Sequence, residues 1–437
     1  MILPVELISS RINTSNSQNN RILIDSKKPT HLCGLFCLTL SAMNVILFDK
    51  NRANYYPLSF TRPLAYFRIG ILTIKEKWEQ YYKSVSVKTE DYLSDKFPNK
   101  IVKDNLWINA KIIPSKALVT ELKSLRKGEG LSKKGELIAF RNSTFNTKKL
   151  NTIDSNVAFD SIENLYDIFK LNGKEIKNDF YLMFPSKELK WQGDIEKLEQ
   201  IKKSNVKIGN HPIHIEEGAK VNQSILNTTE GPIYIGKDAE IMEGSMVRGP
   251  FAMLNNSVLK MGAKIYGATT LGPHCKVGGE VNNSVFFGFS SKAHDGFLGN
   301  SVIGEWCNLG ADTNNSNLKN NYDEVKLWNY ETERFKSTGL QFCGLIMGDH
   351  SKCSINTMFN TGTVVGVSAN IFGSGFPRNF IPSFSWGGAA GFSIYKLPKV
   401  FDVADKVFAR RKLTFDTVEQ NILSEVYTLT KRYRNEQ

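Results

Sequence analysis

Two histidines and three arginines are the residues of this chain whose type and setting point to chemistry. His294 stands in Gly288-Phe-Ser-Ser-Lys292-Ala-His294-Asp-Gly-Phe-Leu-Gly299, a stretch that interrupts an otherwise regular apolar pattern. An imidazole, with an unperturbed pKa of about 6.5, is neutral often enough near physiological pH to take a proton from an attacking nucleophile. The alternative is a loop histidine that only satisfies a backbone group. His350, in Gly348-Asp-His350-Ser-Lys352, is a second candidate base, with Asp349 beside it to orient the ring. Arg52, Arg62 and Arg68 cluster after the first strand-like run, where guanidinium groups can grip phosphate bidentately. Ion pairs with helix-end carboxylates are the other use for them.

The elements that must position His294 are legible as a six-residue step. Apolar residues recur at Ile235, Ile241, Val247, Met253, Leu259, Ile265, Leu271 and Val277, and again at Met347, Cys353, Phe359, Val365 and Ile371. Small residues follow four positions later, among them Ala239, Ser245, Ser257, Ala263, Thr269 and Cys275. Neither a helix nor an ordinary strand gives such a step, whereas a parallel β-helix of hexapeptide repeats does. Its large residues fill the prism and its small ones let the chain turn. The pattern starts near Ile215 and is expected to break twice, over Asn282–Gly296 and over Asn314–Leu340; long excursions from a solenoid usually carry function. Around Asn370–Gly388 glycines and aromatics replace it, as for a cap or a face that meets a ligand.

Upstream, strand-like runs at Val45–Phe48, Leu106–Ile108 and Leu137–Phe140 alternate with helical stretches such as Ile74–Lys83. This order predicts an α/β layer with a mostly parallel sheet, and ligands of such sheets bind beyond the carboxyl ends of the strands. The loop after Phe48, with its arginines, is therefore the place to look. Amphipathic runs at Val400–Ala409 and Val418–Leu429 predict two terminal helices.

Length, charge and cysteines bound the rest. A chain of 437 residues exceeds one ordinary core. The net charge of +13 calls for an anionic partner, and with no basic stripe or recognition motif the phosphates of a small substrate are favoured over nucleic acid. The six cysteines lack metal-binding spacing, which suits a reducing cytoplasm, and no membrane partner is expected. Residues 1–42 form a polar stretch and then an apolar run behind Lys27-Lys28. They read as an extension upstream of a true start at Met43, with a signal peptide as the minority alternative.

Two stretches carry a resemblance. Phe48-Asp-Lys-Asn-Arg-Ala-Asn-Tyr-Tyr-Pro-Leu-Ser-Phe-Thr-Arg-Pro63 resembles the N-terminal signature of GlmU-like sugar nucleotidyltransferases of the Bacteroidetes type. Asn308-Leu-Gly-Ala-Asp-Thr313 and Asn321-Tyr-Asp323, behind His294, resemble the acetyltransferase half of the same family. The resemblance implies an α/β nucleotidyltransferase-like domain over 43–205 and a left-handed parallel β-helix acyltransferase domain over 206–395; residues 1–42 and the C-terminal helices over 396–437 lie outside it. It implies His294 as the base, Asn308 as a sugar contact, Asn321 and Tyr322 as the walls of the sugar and acetyl pocket, and Lys326 on the sugar phosphate. Arg52, Arg62 and Arg68 would hold a nucleotide triphosphate, with Asn109 and Asn172 where the family places its Mg2+ ligands.

The implied partners are a sugar 1-phosphate, UTP or another nucleotide, acetyl-CoA and two further copies in a homotrimer. The implied product is of the UDP-N-acetylglucosamine type, used in the cell envelope. Departures are visible: the phosphate loop lacks its glycines, Phe297 stands for a tyrosine, and Asp312 for a glycine. An acyltransferase with a degenerate first domain, and a non-catalytic trimeric scaffold, are the competing readings.

Overall fold

The computed structural model describes residues 41–184, 190–191 and 194–434, so nearly all of the extension expected over 1–42 lies outside the described residues. What is described belongs to one compact unit, Leu40–Gln437. It opens with a six-stranded sheet: β1 (Ser41–Phe48), β2 (Tyr82–Lys88), β3 (Asn105–Asn109), β4 (Glu129–Lys133), β5 (Glu136–Asn142) and β6 (Asn151–Asp154), in the order β2-β1-β3-β5-β4-β6. Val45, Ile46 and Leu47 of β1 are buried on both faces, as a central parallel strand requires. The sheet is more mixed than expected. β1 runs parallel to β2 and β3, but β5 is antiparallel to both β3 and β4.

The helix expected over Ile74–Lys83 is also shorter. A capping box of Thr73 and Glu76 starts α1 (Ile74–Glu79), and the chain then turns into β2. Val85 and Val87 pair with Val45 and Leu47, and β-branched residues beside a central strand override any helical tendency. Beyond α2 (Asp91–Ser94) and α3 (Lys116–Ser124), the long helix α4 (Asp167–Met183) lies against the following domain, where a Cβ on Gly173 would stand 2.8 Å from that of Ala268. Lys77 ties α1 to α4 through Glu175 Oε2 at 2.7 Å and Asp179 Oδ1 at 2.5 Å, all three buried.

After α5 (Ile195–Ser204) the chain winds into a left-handed parallel β-helix with three sheets as walls. Each short strand pairs in parallel with its equivalent one coil on, as in Tyr234↔Ala252↔Thr270. Every apolar residue of the six-residue step is buried, and so are the small residues that follow each one. The expected first break does not exist as a break. Val285–Gly288 and Ser291–Lys292 continue two of the walls, and Val277 pairs with Lys292. The step is lost there because this coil has shortened turns, so fifteen residues replace eighteen and the six-residue phase slips.

The second excursion is real. It leaves after Asn315, is closed at its neck by a bridge between Leu318 and Phe342, and forms an antiparallel hairpin of Lys326–Asn329 and Arg334–Ser337. Tyr330 at its tip packs edge-on against Tyr56 and Phe60 of the first domain and Tyr433 near the C-terminus. A second hairpin, Ser385–Gly388 with Gly391–Ile394, ends one wall. The terminal helices α6 (Leu397–Ala409) and α7 (Thr417–Leu429) then return over the solenoid. A single apolar cluster joins all three regions, with Leu58 and Phe60 from the sheet domain, Phe287 and Trp306 from the β-helix, and Phe408 and Val426 from the helices. No helix among the described residues is long and apolar enough to cross a membrane.

Candidate active site at a shortened corner

Four residues turn each corner between two of the walls at 260–263, 293–296 and 310–313, but only Gly278 and Gly279 do so at the corner between the first two of these. The missing residues leave a cleft of about 480 Å³ along the prism edge. Lys260, Met261, Gly278, Gly279, Ala293, His294, Asp295, Ala311 and Asp312 line it. His294 is exposed on the four-residue corner above the glycines. Gly279 has φ +70°, and a Cβ there would lie 2.8 Å from Asp295 Cα and 2.9 Å from the His294 carbonyl oxygen. Glycine alone fits both the backbone angle and the space. Gly279→Ala is expected to lower turnover at this cleft by about tenfold through displacement of the His294 turn. Steady-state kinetics beside a melting curve separates that loss from unfolding.

Below His294 lies a residue that the sequence reading passed over. Lys292 occupies the inward slot that Val277 fills one coil earlier, and its side chain is 1% exposed. Its ammonium donates to the carbonyl oxygens of Gly278 at 3.2 Å, His294 at 2.8 Å and Asp295 at 3.2 Å. Burial pushes the Lys292 pKa down to about 8, against the opposing pull of Asp295 and Asp312. The unfolded chain, with a lysine pKa of about 10.4, holds this proton through a range where the folded chain has lost it. Stability from this group therefore rises as pH climbs from about 8 to about 10, by roughly 3 kcal/mol at most. Urea midpoints across that range should rise more steeply for the natural protein than for Lys292→Met. A lysine at an inward repeat position was the available signal.

The other expected acetyl-transfer residues do not line this cleft. Asn308 is exposed on the wall next to Ser291 and Lys352. Asn321 holds a local turn with Asp323, its Nδ2 donating to Asp323 Oδ2 at 2.5 Å. Tyr322 is 65% exposed at the base of the excursion, and Lys326 is exposed at the start of its hairpin. The rival base is differently placed. His350 is buried beside the stacked rings of Trp306 and Phe408, and burial together with Lys352 holds its pKa well below the ordinary value. Asp349 does not orient it. That carboxylate instead accepts from Thr61 Oγ1 at 2.7 Å, the Glu305 amide at 2.8 Å and the Arg62 guanidinium.

The three arginines are likewise engaged inside the protein. Arg62 pairs with Asp349 and, at 2.8 Å, with Glu305 of the β-helix; burial opposes its charge, but the two carboxylates hold its pKa above the usual value. Arg52 pairs with Asp49 and donates to Thr89 Oγ1 at 2.9 Å and the Ser59 carbonyl. Arg68 donates to the Ile71 carbonyl and faces Glu76 at 3.5 Å. All three are buried. No cradle of free guanidinium groups follows β1 among the described residues.

The asparagines do not suit Mg2+, which takes oxygen ligands and favours carboxylates. Asn172 Oδ1 already accepts from the Gly70 amide at 2.8 Å and Thr270 Oγ1 at 3.1 Å, which stitches α4 to the solenoid. Asn109 Oδ1 accepts from the Lys111 amide at 3.3 Å, and its unpartnered group is the Nδ2 donor, which a cation repels. No cluster of three or more His, Cys, Asp or Glu side chains suited to a metal occurs among the described residues. Cys275, Cys307, Cys343 and Cys353 are buried free thiols.

Residues 45–187 match the sugar nucleotidyl transferase family. Among curated proteins, the bifunctional sugar-1-phosphate nucleotidylyltransferase/acetyltransferase of Sulfurisphaera tokodaii is 34% identical over 33% of this chain and 36% of its own length. The bifunctional protein GlmU of Methanocaldococcus jannaschii is 36% identical over 20% of this chain and 21% of its own. The matched stretches thus span about a third and a fifth of those relatives. Among solved structures, the polySia-specific acetyltransferase NeuO aligns at 13% identity over 44% of this chain and 79% of its own, with a TM-score of 0.23. An Arabidopsis UDP-N-acetylglucosamine acyltransferase aligns at 16% identity over 54% and 83%, with a TM-score of 0.20. These matches liken parts of the chain to a sugar nucleotidyl transferase domain and to GlmU-like bifunctional proteins.

Proposed function

We propose that the β-helix transfers an acetyl group from acetyl-CoA to the amine of an amino-sugar 1-phosphate, with His294 as the general base. The observation that carries this reading is an exposed imidazole on a cleft at the Gly278-Gly279 corner of the prism. The amine nitrogen attacks the thioester carbon, its proton passes to His294, and the C–S bond breaks to release coenzyme A thiolate, which is then protonated. Asp295 and Asp312 beside His294 favour a substrate that arrives as an ammonium, which gives up one proton to solvent before its nitrogen lone pair attacks.

Asn308, Asn321, Tyr322 and Lys326 are exposed but do not line the His294 cleft, and we assign a site that uses all five to the junction with a neighbouring copy. A homotrimer is the assembly we assign. The reading places the protein in the cytoplasm, where acetyl-CoA is available, on the way to a nucleotide sugar of the UDP-N-acetylglucosamine type. A screen of amino-sugar phosphates for acetyl-CoA consumption tests it, and consumption with none of them would sink it.

The family match over 45–187 favours a second activity, joining a sugar 1-phosphate to UTP or another nucleotide with release of pyrophosphate. The buried, internally paired Arg52, Arg62 and Arg68 favour a first domain that has kept the fold without that chemistry. Pyrophosphate release from UTP, Mg2+ and a panel of sugar 1-phosphates decides between them.

A further inference from the structure

We propose that Lys292 is the positioning residue of the catalytic corner: its buried ammonium ties the turn that carries His294 to the two-glycine turn beneath it. The inference rests on the reading of His294 as the base. Corners of a β-helix lie outside the strand ladders, and their carbonyls often face water. Here three of them converge inward on one nitrogen, two from the His294 turn and one from the Gly278 turn of the coil before.

An ammonium is a compact donor of three hydrogen bonds, and here each one is used. The slot is costly for it. Val277 fills the equivalent place with hydrocarbon, and the lysine pKa is driven down by burial. A cation kept at that cost, inside a prism whose other inward positions carry uncharged side chains, is explained by what its head holds.

The same turn is bound from outside by backbone groups. The Glu280 amide donates to Gly296 at 3.2 Å, the Asp312 amide to Asp295 at 3.1 Å and the Gly278 amide to Lys292 at 2.8 Å. Those amides report directly on how firmly the turn is held. Asp295 faces the ammonium from its own turn, Asp312 from the corner one coil on, and Cys353 from the wall strand two coils on. None of these replaces its bonds to the three carbonyls. Without Lys292 those carbonyls turn away or take up water, and His294 loses its fixed height above the cleft.

The experiment compares the natural full-length protein with Lys292→Met, which fills the slot without the charged head. The expected result is a kcat for acetyl transfer at least about tenfold lower, with KM for acetyl-CoA within about twofold. Amide hydrogen exchange at Glu280 and Asp312 should be at least about tenfold faster, while exchange in Phe251–Met253, remote from the corner, stays as it was. Natural kcat in Lys292→Met overturns the proposal. So does a fall in kcat with unchanged exchange at Glu280 and Asp312, because Lys292 would then act by some route other than the turn. Should Lys292→Met fail to fold, Lys292→Gln, which keeps an uncharged N–H donor, is read by the same two criteria. If neither the natural protein nor His294→Ala transfers acetyl, the reading of His294 has failed. Exchange at Glu280 and Asp312 then decides the Lys292 tie alone.

Discussion

His294→Ala is expected to lower kcat for acetyl transfer by about 10²–10⁴-fold, the usual span for loss of a positioned general base, with KM for acetyl-CoA little changed. The side chain is exposed, and its turn is held through backbone atoms, so its removal leaves the fold intact. Melting curves of the two proteins should superimpose. His350→Ala makes the informative contrast. His350 lies buried beside the stacked Trp306 and Phe408 rings, so its loss costs packing and lowers the melting temperature, but it leaves kcat of the folded fraction near the natural value. Kinetics normalised to folded protein would separate the two histidines, and equal losses of kcat would refute the assignment.

The second large effect is on stability. Arg62→Met is expected to destabilise the protein by about 3–5 kcal/mol, the usual cost of removing one partner from a buried ion pair. Arg62 comes from the loop after β1, whereas Asp349 and Glu305 belong to the β-helix, so the pair joins the two regions. Without the guanidinium, Asp349 would keep only neutral donors, Thr61 Oγ1 and the Glu305 amide, in a site that is 3% exposed. Denaturant midpoints for Arg62→Met, Asp349→Asn and the double variant measure this. The double variant should be less destabilised than the sum of the two, since neither charge is then left alone. Were Arg62 a phosphate ligand instead, Arg62→Met would weaken nucleotide binding and leave the midpoint where it was.

The sequence and the structure agree where a local rule governs. A residue in the six-residue step fills the prism wherever coils keep their length, so Ile235 to Val277 and Met347 to Ile371 were legible as interior positions. Between Val277 and Met347 the rule fails, because corner length changes phase. Gly278-Gly279 turns a corner in two residues, and the residues after it then look like a break although the walls run on. That shortened corner is also what forms the cleft, so the local irregularity was a true marker read for the wrong geometry.

The arginines show a different limit. Their clustering was visible, but a carboxylate 287 positions away in Asp349 decides whether Arg62 faces a ligand or a partner in the core. Lys292 was hidden by the expectation of a break, which removed the inward slot that would have exposed it as misplaced.

The decisive assay measures coenzyme A thiol released by the natural protein from acetyl-CoA and an amino-sugar 1-phosphate, together with loss of the free sugar amine. Equal amounts of thiol released and amine acetylated are expected, with both abolished in His294→Ala. Thiol release without loss of amine, or equal rates in His294→Ala, would contradict the proposed transfer.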